Sequence, residues 1–581
     1  MKMKRLIKAS MLLMVVTLFA ACANEDIAQD KKKENGTEAP KGGVIFAANG
    51  PKTSAKRLSI DGEDEFAGVK TRTNIKHTVG QGADAYWTSD DFIYVKDKNG
   101  NIQRSTHTEL HDGGASAEFT LPGSKADYTD GCEVRYTGTG AYNYALLPEY
   151  HRVGFASQFK STIANNFNDA GGGGDCGSGK AYATGNPAKF NFRLSHKVAY
   201  LCFLPRCENA ALAPNIRLTH IKLTATKCYS DPSTPLTDFF DFDGETIGPG
   251  GLRLSPFNTI HMTDFSFPLF TTANQEANAV YCVIRPDTYD FKIEYIIKDP
   301  TTNVETVVTQ TLTNKTFDKG LIYDITADLA VSERPNLPKY YMWNAHNDYW
   351  HGYESEQPFI NQGQSGATQG QHYPKNGFDP RWGDDGYSGP GVVYEAYSAP
   401  AFQGLPNINE LWWYVTKGKP YWDANGGSYV WSSGGHLRRA ILGGIWLKKK
   451  NAIVAYLKAY EAYPATLTWE KMKEAYGGPG TAANPIASPQ DFRPRYSPQV
   501  TSVPTTQGRP SEMEMSDYFF IPALGYYHEG WLNGLGSHGY YWSYSAFTGY
   551  GPYAYYLYFN SSSVEVKYND RFIGYQPLVF E

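Results

Sequence analysis

Three polar residues stand within six positions of one another: His346, Asp348 and His351. A histidine and carboxylate set of this kind can move protons or hold a metal ion. Asp384 and Asp385 add an acidic pair further on. Beyond residue 340, where these groups lie, no nucleophile elbow, phosphate loop or dinucleotide fingerprint occurs, and there is no cysteine. No CxxC or HExxH spacing occurs anywhere in the chain, so a zinc site has no support. The polar set reads as surface residues in aromatic loops. No catalytic residue, metal or cofactor is expected, and the chain is expected not to be an enzyme. The other side chains with binding chemistry are rings. Trp343, Trp350, Trp382, Tyr540 and Trp542 are the candidates for stacking on a sugar or packing on a protein partner.

The elements that must position these groups belong to a chain of 581 residues, too long for one ordinary core. The net charge of −5 leaves no basic footprint for nucleic acid. With 57 Gly, 34 Pro and 15% aromatic residues, it reads as β-rich and loop-rich. The N-terminus has the parts of a secretory signal: basic Lys2, Lys4 and Arg5, an apolar Met11 to Phe19, and Ala20-Ala21-Cys22. The last three residues resemble a bacterial lipobox, with Phe19 where Leu is usual, which makes Cys22 the lipidated residue. Residues 1–21 are then the signal peptide and 22–42 a polar tether.

Six further cysteines, Cys132, Cys176, Cys202, Cys207, Cys228 and Cys282, all lie in the first half. In an exported chain they permit three disulfides or six buried thiols. Tryptophan is distributed the other way, since only Trp87 precedes residue 340. A linker over 332–339, with Pro335 and Pro338, separates a module of 43–331 from a domain of 340–581.

The first module alternates. Gly42 to Gly50 reads as a first strand, Asn99-Gly100 as a hairpin turn, Ala188 to Pro205 as one long strand, and Asp299-Pro300 as a second hairpin. Lys319 to Leu329 closes it as another strand. This is the pattern of a β-sandwich, here expected in two subdomains. In the second module, Asn407 with Glu410 reads as a capping box, Asn451 to Ala462 as a helix, and Thr468 as a helix cap. Residues 477–510 read as an extended surface loop. At the end come strands through Tyr553–Phe559, Val564–Tyr568 and a last one through Phe572–Phe580.

Thr71-Arg72-Thr73, Trp87 to Val95, Phe192 to Leu201 and Lys319 to Leu329 resemble, in that order, the Bacteroidetes fimbrillin family. The resemblance implies a two-domain β-sandwich pilin, exported as a lipoprotein to the outer membrane. It also implies a cut after an arginine by a trypsin-like protease, and assembly by strand exchange with a shaft pilin. Removing the first strand would open an apolar groove and bare unpaired backbone. Arg72, or else Arg57, is the candidate cut.

Tyr518 to Phe580, with Gly404 to Val415 and Gly444 to Lys448, resembles the FISUMP (major paralogous) domain, departing from it at Tyr544. That implies a mixed α+β, C-type-lectin-like, aromatic-rich fold, without the calcium motifs of sugar-binding lectins. The combined expectation is a mainly β surface protein: a fimbrial tip adhesin that accepts a strand and presents its C-terminal domain to a glycan or protein ligand. A glycan-capture lipoprotein outside any pilus is the alternative, and a surface hydrolase a weaker one.

Overall fold

The structure is a computed structural model. It describes residues 43–48, 56–59, 74–80, 82–138, 151–248, 256–359, 369–383, 395–396, 399–494, 502–548 and 552–581, with 56–59 and Asn74 described by backbone alone. The architecture is mainly β.

β1 (Gly43–Ala48) does not lie at a sheet edge. It pairs antiparallel with β3 (Ser116–Pro122) and parallel with β6 (Lys189–Phe192), so Phe46 faces Phe119 on one side and Phe190 on the other. β4 (Cys132–Tyr136) and β5 (Gly177–Ala183) continue the same nine-stranded sheet beyond β6. Val44, Phe46, Phe119, Val134, Ala181, Phe190 and Phe192 form its core. The turn at Asn99-Gly100 is present, with Gly100 at φ +86°, where a glycine avoids the Cβ clash.

The second sandwich has two layers. One is a four-stranded sheet in the order β2 (Lys56–Ser59), β12 (Ile322–Asp328), β7 (Ala199–Arg206), β9 (Val280–Ile284). The other is a six-stranded sheet containing β8 (Arg217–Cys228), β10 (Asp287–Asp299) and β11 (Val304–Phe317). β7 buries both faces. Ala199, Leu201 and Phe203 point into the core between the layers, and Tyr200, Cys202 and Leu204 into a second core with Phe167, Phe240 and Tyr281. That is why it reads as a continuous apolar run.

The expected single strand over 188–205 is therefore two. Its first part belongs to the β1 sheet and its second to the next sandwich, with the short strand Ser195–His196 between them. The first part alternates and the second is a continuous apolar run, and no glycine or proline separates them, so the sequence pattern hides the crossing. The six cysteines are all free and buried.

In the C-terminal half, α1 (Ile408–Lys417) is buried from Ile408 to Val415 between two four-stranded sheets. Its expected capping box forms: Glu410 N donates to the Asn407 side chain at 3.0 Å, and Asn407 N to the Glu410 carboxylate at 3.0 Å. One sheet holds β13 (Tyr421–Ser433), β14 (His436–Lys448) and β15 (Tyr518–Pro522). The other holds β16 (His538–Ala546), β17 (Tyr553–Asn560) and β18 (Ser563–Asp570). α2 (Lys450–Tyr460) follows β14 within a residue or two of its expected limits.

Two expectations are corrected. The 477–510 stretch is not simply a surface loop, because Ser502–Pro504 pairs with β18 and Thr506–Gln507 with β13. The tail beyond residue 570 is not a ladder strand. It makes isolated bridges to Tyr341, Tyr527 and Tyr541.

Nor is 332–339 the only connection between the halves. The β13–β14 hairpin tip docks on the second sandwich. Leu437 enters its core, His436 Nδ1 lies 2.9 Å from the Asp299 carboxylate, and Asn215 donates to Gly435 O at 2.9 Å. Ser432 donates to Val331 O and to Ser332 O at 2.8 and 2.7 Å.

Candidate functional site

The β1 position is the first candidate site. Val44 and Phe46 are fully buried. The Phe46 ring stacks on Phe190 at 4.8 Å and meets Tyr128 edge-on at 5.2 Å. Burying two such side chains contributes about 1.5–3 kcal/mol each. Lifting β1 out would leave a slot walled by Phe119, Phe190 and Tyr128, with the backbone edges of β3 and β6 unpaired on both sides. Any strand with apolar residues at alternate positions could satisfy both. The walls were readable only as alternating strand residues, since their meeting depends on pairings across more than seventy residues.

Cys22 and Arg72 lie outside the described residues. Arg57 does not lie in an open loop as expected. It sits in β2, its backbone paired in parallel with β12 opposite Asp324. A protease needs a free extended chain, so a residue held in a ladder is a poor bond to cut.

Below β2, Asp324 belongs to a buried group with His77 and Cys202, whose ligand-type atoms lie within 4.8 Å of one another. His77 commits both ring nitrogens, to Asp324 at 2.7 Å and to Gly82 O at 2.7 Å. Burial, and then the Asp324 charge, push the Cys202 thiol well above its usual range. The arrangement has neither a thiolate nor a free imidazole lone pair. It serves to satisfy buried polar atoms.

Of the ring candidates in the C-terminal half, three are core residues. Trp343 is fully buried, donates to Ser543 O at 2.9 Å and carries the Arg571 guanidinium 4.6 Å from its ring. Trp542 is fully buried, donates to Tyr341 O at 2.8 Å and packs on Tyr575 at 4.4 Å. Trp350 is 1% exposed and packs on Tyr527 at 5.4 Å. None of the three offers a face to a ligand. Their rings are enclosed because the tail and the segment from Tyr340 close over the β16–β17 face.

Trp382 and Tyr540 are half-buried. Trp382 stacks on Phe572 at 5.8 Å. Tyr540 lies in a row of rings with Tyr526 at 4.6 Å and Tyr558 at 5.2 Å.

The polar set splits. Asp348 is buried, accepts from Trp350 N at 3.1 Å, and holds the Lys339 ammonium at 3.1 Å. His346 and His351 are exposed. Asp348, His351 and Glu354 do bring ligand-type atoms within 4.8 Å of one another, but the lysine already supplies the positive charge there. Asp384 and Asp385 lie outside the described residues.

No protein family profile matches the chain, and no curated protein matches it. Solved structures do. A candidate cell adhesion protein from Bacteroides ovatus is 14% identical, over 48% of this chain and 93% of that one, with a TM-score of 0.27. The fimbrial anchor protein Mfa2 from Porphyromonas gingivalis is 11% identical, over 46% and 82%, with a TM-score of 0.20. A candidate polysaccharide binding protein from Bacteroides thetaiotaomicron is 11% identical, over 49% and 92%, with a TM-score of 0.21. Likenesses of this size carry no argument about what this chain does.

Proposed function

We propose that the chain is a surface adhesion subunit that takes a neighbour's strand into the place of β1 and carries its C-terminal half outward as the binding part. The observation that carries this reading is the position of β1. It is a short strand, the first of the described elements, yet it lies inside a sheet and its core. Export as an outer-membrane lipoprotein through Cys22, and a cut by a trypsin-like protease after Arg72, belong to the same proposal. The partner is a shaft pilin supplying the strand.

The subunit receives a strand and offers none, because its tail is built into the C-terminal core. It therefore ends a filament. No catalytic role is proposed, since the polar groups near residue 348 are occupied in structural contacts.

The test introduces a cleavage site in the stretch 49–55, cuts the folded protein and removes β1. The cut protein should take up a labelled Gly43–Ala48 peptide, and a shaft strand in competition with it. A cut protein that will not release β1, or that takes up neither strand, overturns the reading. Immunogold labelling along filament shafts, rather than at distal ends, overturns the terminal position.

A further inference from the structure

α2 is held by Ile453 and Leu457, both fully buried. On an adjoining face, Ala452, Ala455 and Ala459 keep the helix surface low. Tyr456 and Tyr460 rise beside them, their ring centroids 5.3 Å apart. Lys419, Lys448 and the segment from Glu514 to Asp517 stand opposite, and the two sides enclose an open cleft of about 750 Å³.

Two side chains give this cleft its binding chemistry. Tyr460 is 78% exposed, although Tyr456 beside it is half-buried. The Lys448 side chain is only 7% exposed, with its ammonium 4.6 Å from the Tyr518 ring and 3.8 Å from the Asp517 carboxylate, beyond hydrogen-bond reach. No hydrogen bond satisfies that ammonium among the described residues. The carboxylate and the ring hold the ammonium at the cleft wall, where its N–H donors can meet the hydroxyls of a ligand. Lys419, at φ +45°, lies over the Tyr456 ring at 3.8 Å, which leaves Tyr460 as the uncovered ring.

We propose that this cleft binds a neutral carbohydrate, with one pyranose face on Tyr460 and the ring hydroxyls on Lys448, Asn451, Glu514 and Asp517. A pyranose has an apolar C–H face and a rim of hydroxyls that both donate and accept. The cleft matches each part: a free aromatic face, lysine donors, carboxylate acceptors and an amide that does both. Its formal charges cancel, two lysines against Glu514 and Asp517. That balance favours an uncharged sugar over a uronate. The inference rests on reading the C-terminal half as the binding part.

The full chain is tested on a printed panel of linear glucose, galactose and mannose oligosaccharides beside their uronate counterparts. It should bind neutral chains with weak dependence on salt. Tyr460→Ala should weaken binding at least about tenfold, as loss of an anchoring ring does, with an unchanged Tm because the ring is exposed. Ala455→Arg, which fills the cleft from an exposed position, should abolish binding and keep the fold. Binding to no neutral chain, to uronates alone, or equally by both variants overturns the proposal. Strand uptake at the β1 slot is read separately. Its survival when sugar binding fails leaves the subunit reading standing and removes only the cleft.

Discussion

β1 and the stretch from Arg571 to Glu581 both send apolar side chains into a core, but they are held in opposite ways. β1 is held by ladders along its length, to β3 and β6, with Val44, Phe46 and Ala48 as its inward residues. The tail has no ladder. Its backbone exchanges one pair of hydrogen bonds with Tyr341 and another with Tyr527. A third set runs from Trp542 N to Gln576 O and from Gln576 N to Tyr540 O.

The tail's side chains do the rest. Arg571 lies under Trp343, Tyr575 packs between Trp542 and Tyr556, and Phe580 reaches Tyr414 at 5.1 Å. Even the last carbonyl accepts from Lys450 N at 2.9 Å and from the Tyr414 hydroxyl at 3.0 Å. A segment held by ladders can be replaced by any strand of the right polarity. One held by particular side chains at several partners cannot.

The largest effect expected from this difference is in rescue. Deleting 571–581 should unfold the C-terminal half, since Ile573, Tyr575 and Phe580 alone forfeit about 1.5–3 kcal/mol each. Adding the missing peptide with Tyr575 and Phe580 changed to Ala should not restore near-UV circular dichroism. Removing β1 should be reversed by its own peptide and by an unrelated alternating strand. Rescue of the tail deletion by the altered peptide would erase the distinction.

Phe46→Ala tests β1 itself. Loss of a fully buried phenylalanine costs about 3–5 kcal/mol. Urea unfolding should show that loss in the N-terminal module, and an Ala-bearing peptide should compete poorly for the slot. A change below about 1 kcal/mol would mean that the ladders alone hold the strand.

How much of this contrast the sequence carried follows from the same physics. The first strand is readable because Val44 to Ala48 is a short apolar run ended by Gly50 and Pro51. Its central place is not, because Phe119 and Phe190 meet it only through tertiary pairing. The helix caps at Asn407 and Thr468 were readable, being local hydrogen-bond patterns. The tail was misread as a strand because its apolar residues fit a strand as well as they fit an irregular anchor. Trp343, Trp350 and Trp542 read as ligand-facing rings because composition does not say which face of an aromatic sheet is covered. The helix that carries Tyr456 and Tyr460 is readable, but nothing local reveals that the two rings face Lys419 and Lys448 across a cleft.

The hairpin at the junction decides whether loss of one end is felt at the other. Burial would raise the Asp299 pKa. Hydrogen bonds from His436, Thr302, Leu437 and Thr301 outweigh it and hold the carboxyl below its usual range. A carboxylate depressed in the folded state adds stability above its unfolded pKa, about 3.9, and loses it as pH falls through the folded value. Below about pH 4 the halves should therefore become separately cleavable by pepsin. At neutral pH, Asp299→Ala should leave the Leu437 and Thr301 amides unsatisfied and cost about 1–3 kcal/mol. Independent thermal transitions of the two halves in the variant, against one in the wild type, are the expected readout. Coupled transitions in both would show that Leu437 and the Asn215 and Ser432 hydrogen bonds carry the contact without Asp299.

The smallest effect falls within the tail. Tyr575 and Phe580 are almost fully buried, but Val579 between them is 54% exposed, its neighbour across a gap being the backbone near Gly404. If the tail were an ordinary strand packed on the face that holds Tyr575, Val579, four residues on, would share that buried face, and a charge there would cost several kcal/mol. If it were a buried strand covered on both faces, as the apolar run suggests, Val579→Asp would bury a carboxylate and cost several kcal/mol. The irregular anchor predicts something narrower. Val579→Asp should shift stability by no more than about 0.5 kcal/mol, while Tyr575→Ala, four residues earlier and in the opposite situation, should cost several kcal/mol. Urea titration of the two variants side by side measures this spread. Equal losses would mean that the tail is held as a continuous strand after all, and that it could be withdrawn and offered to a neighbour.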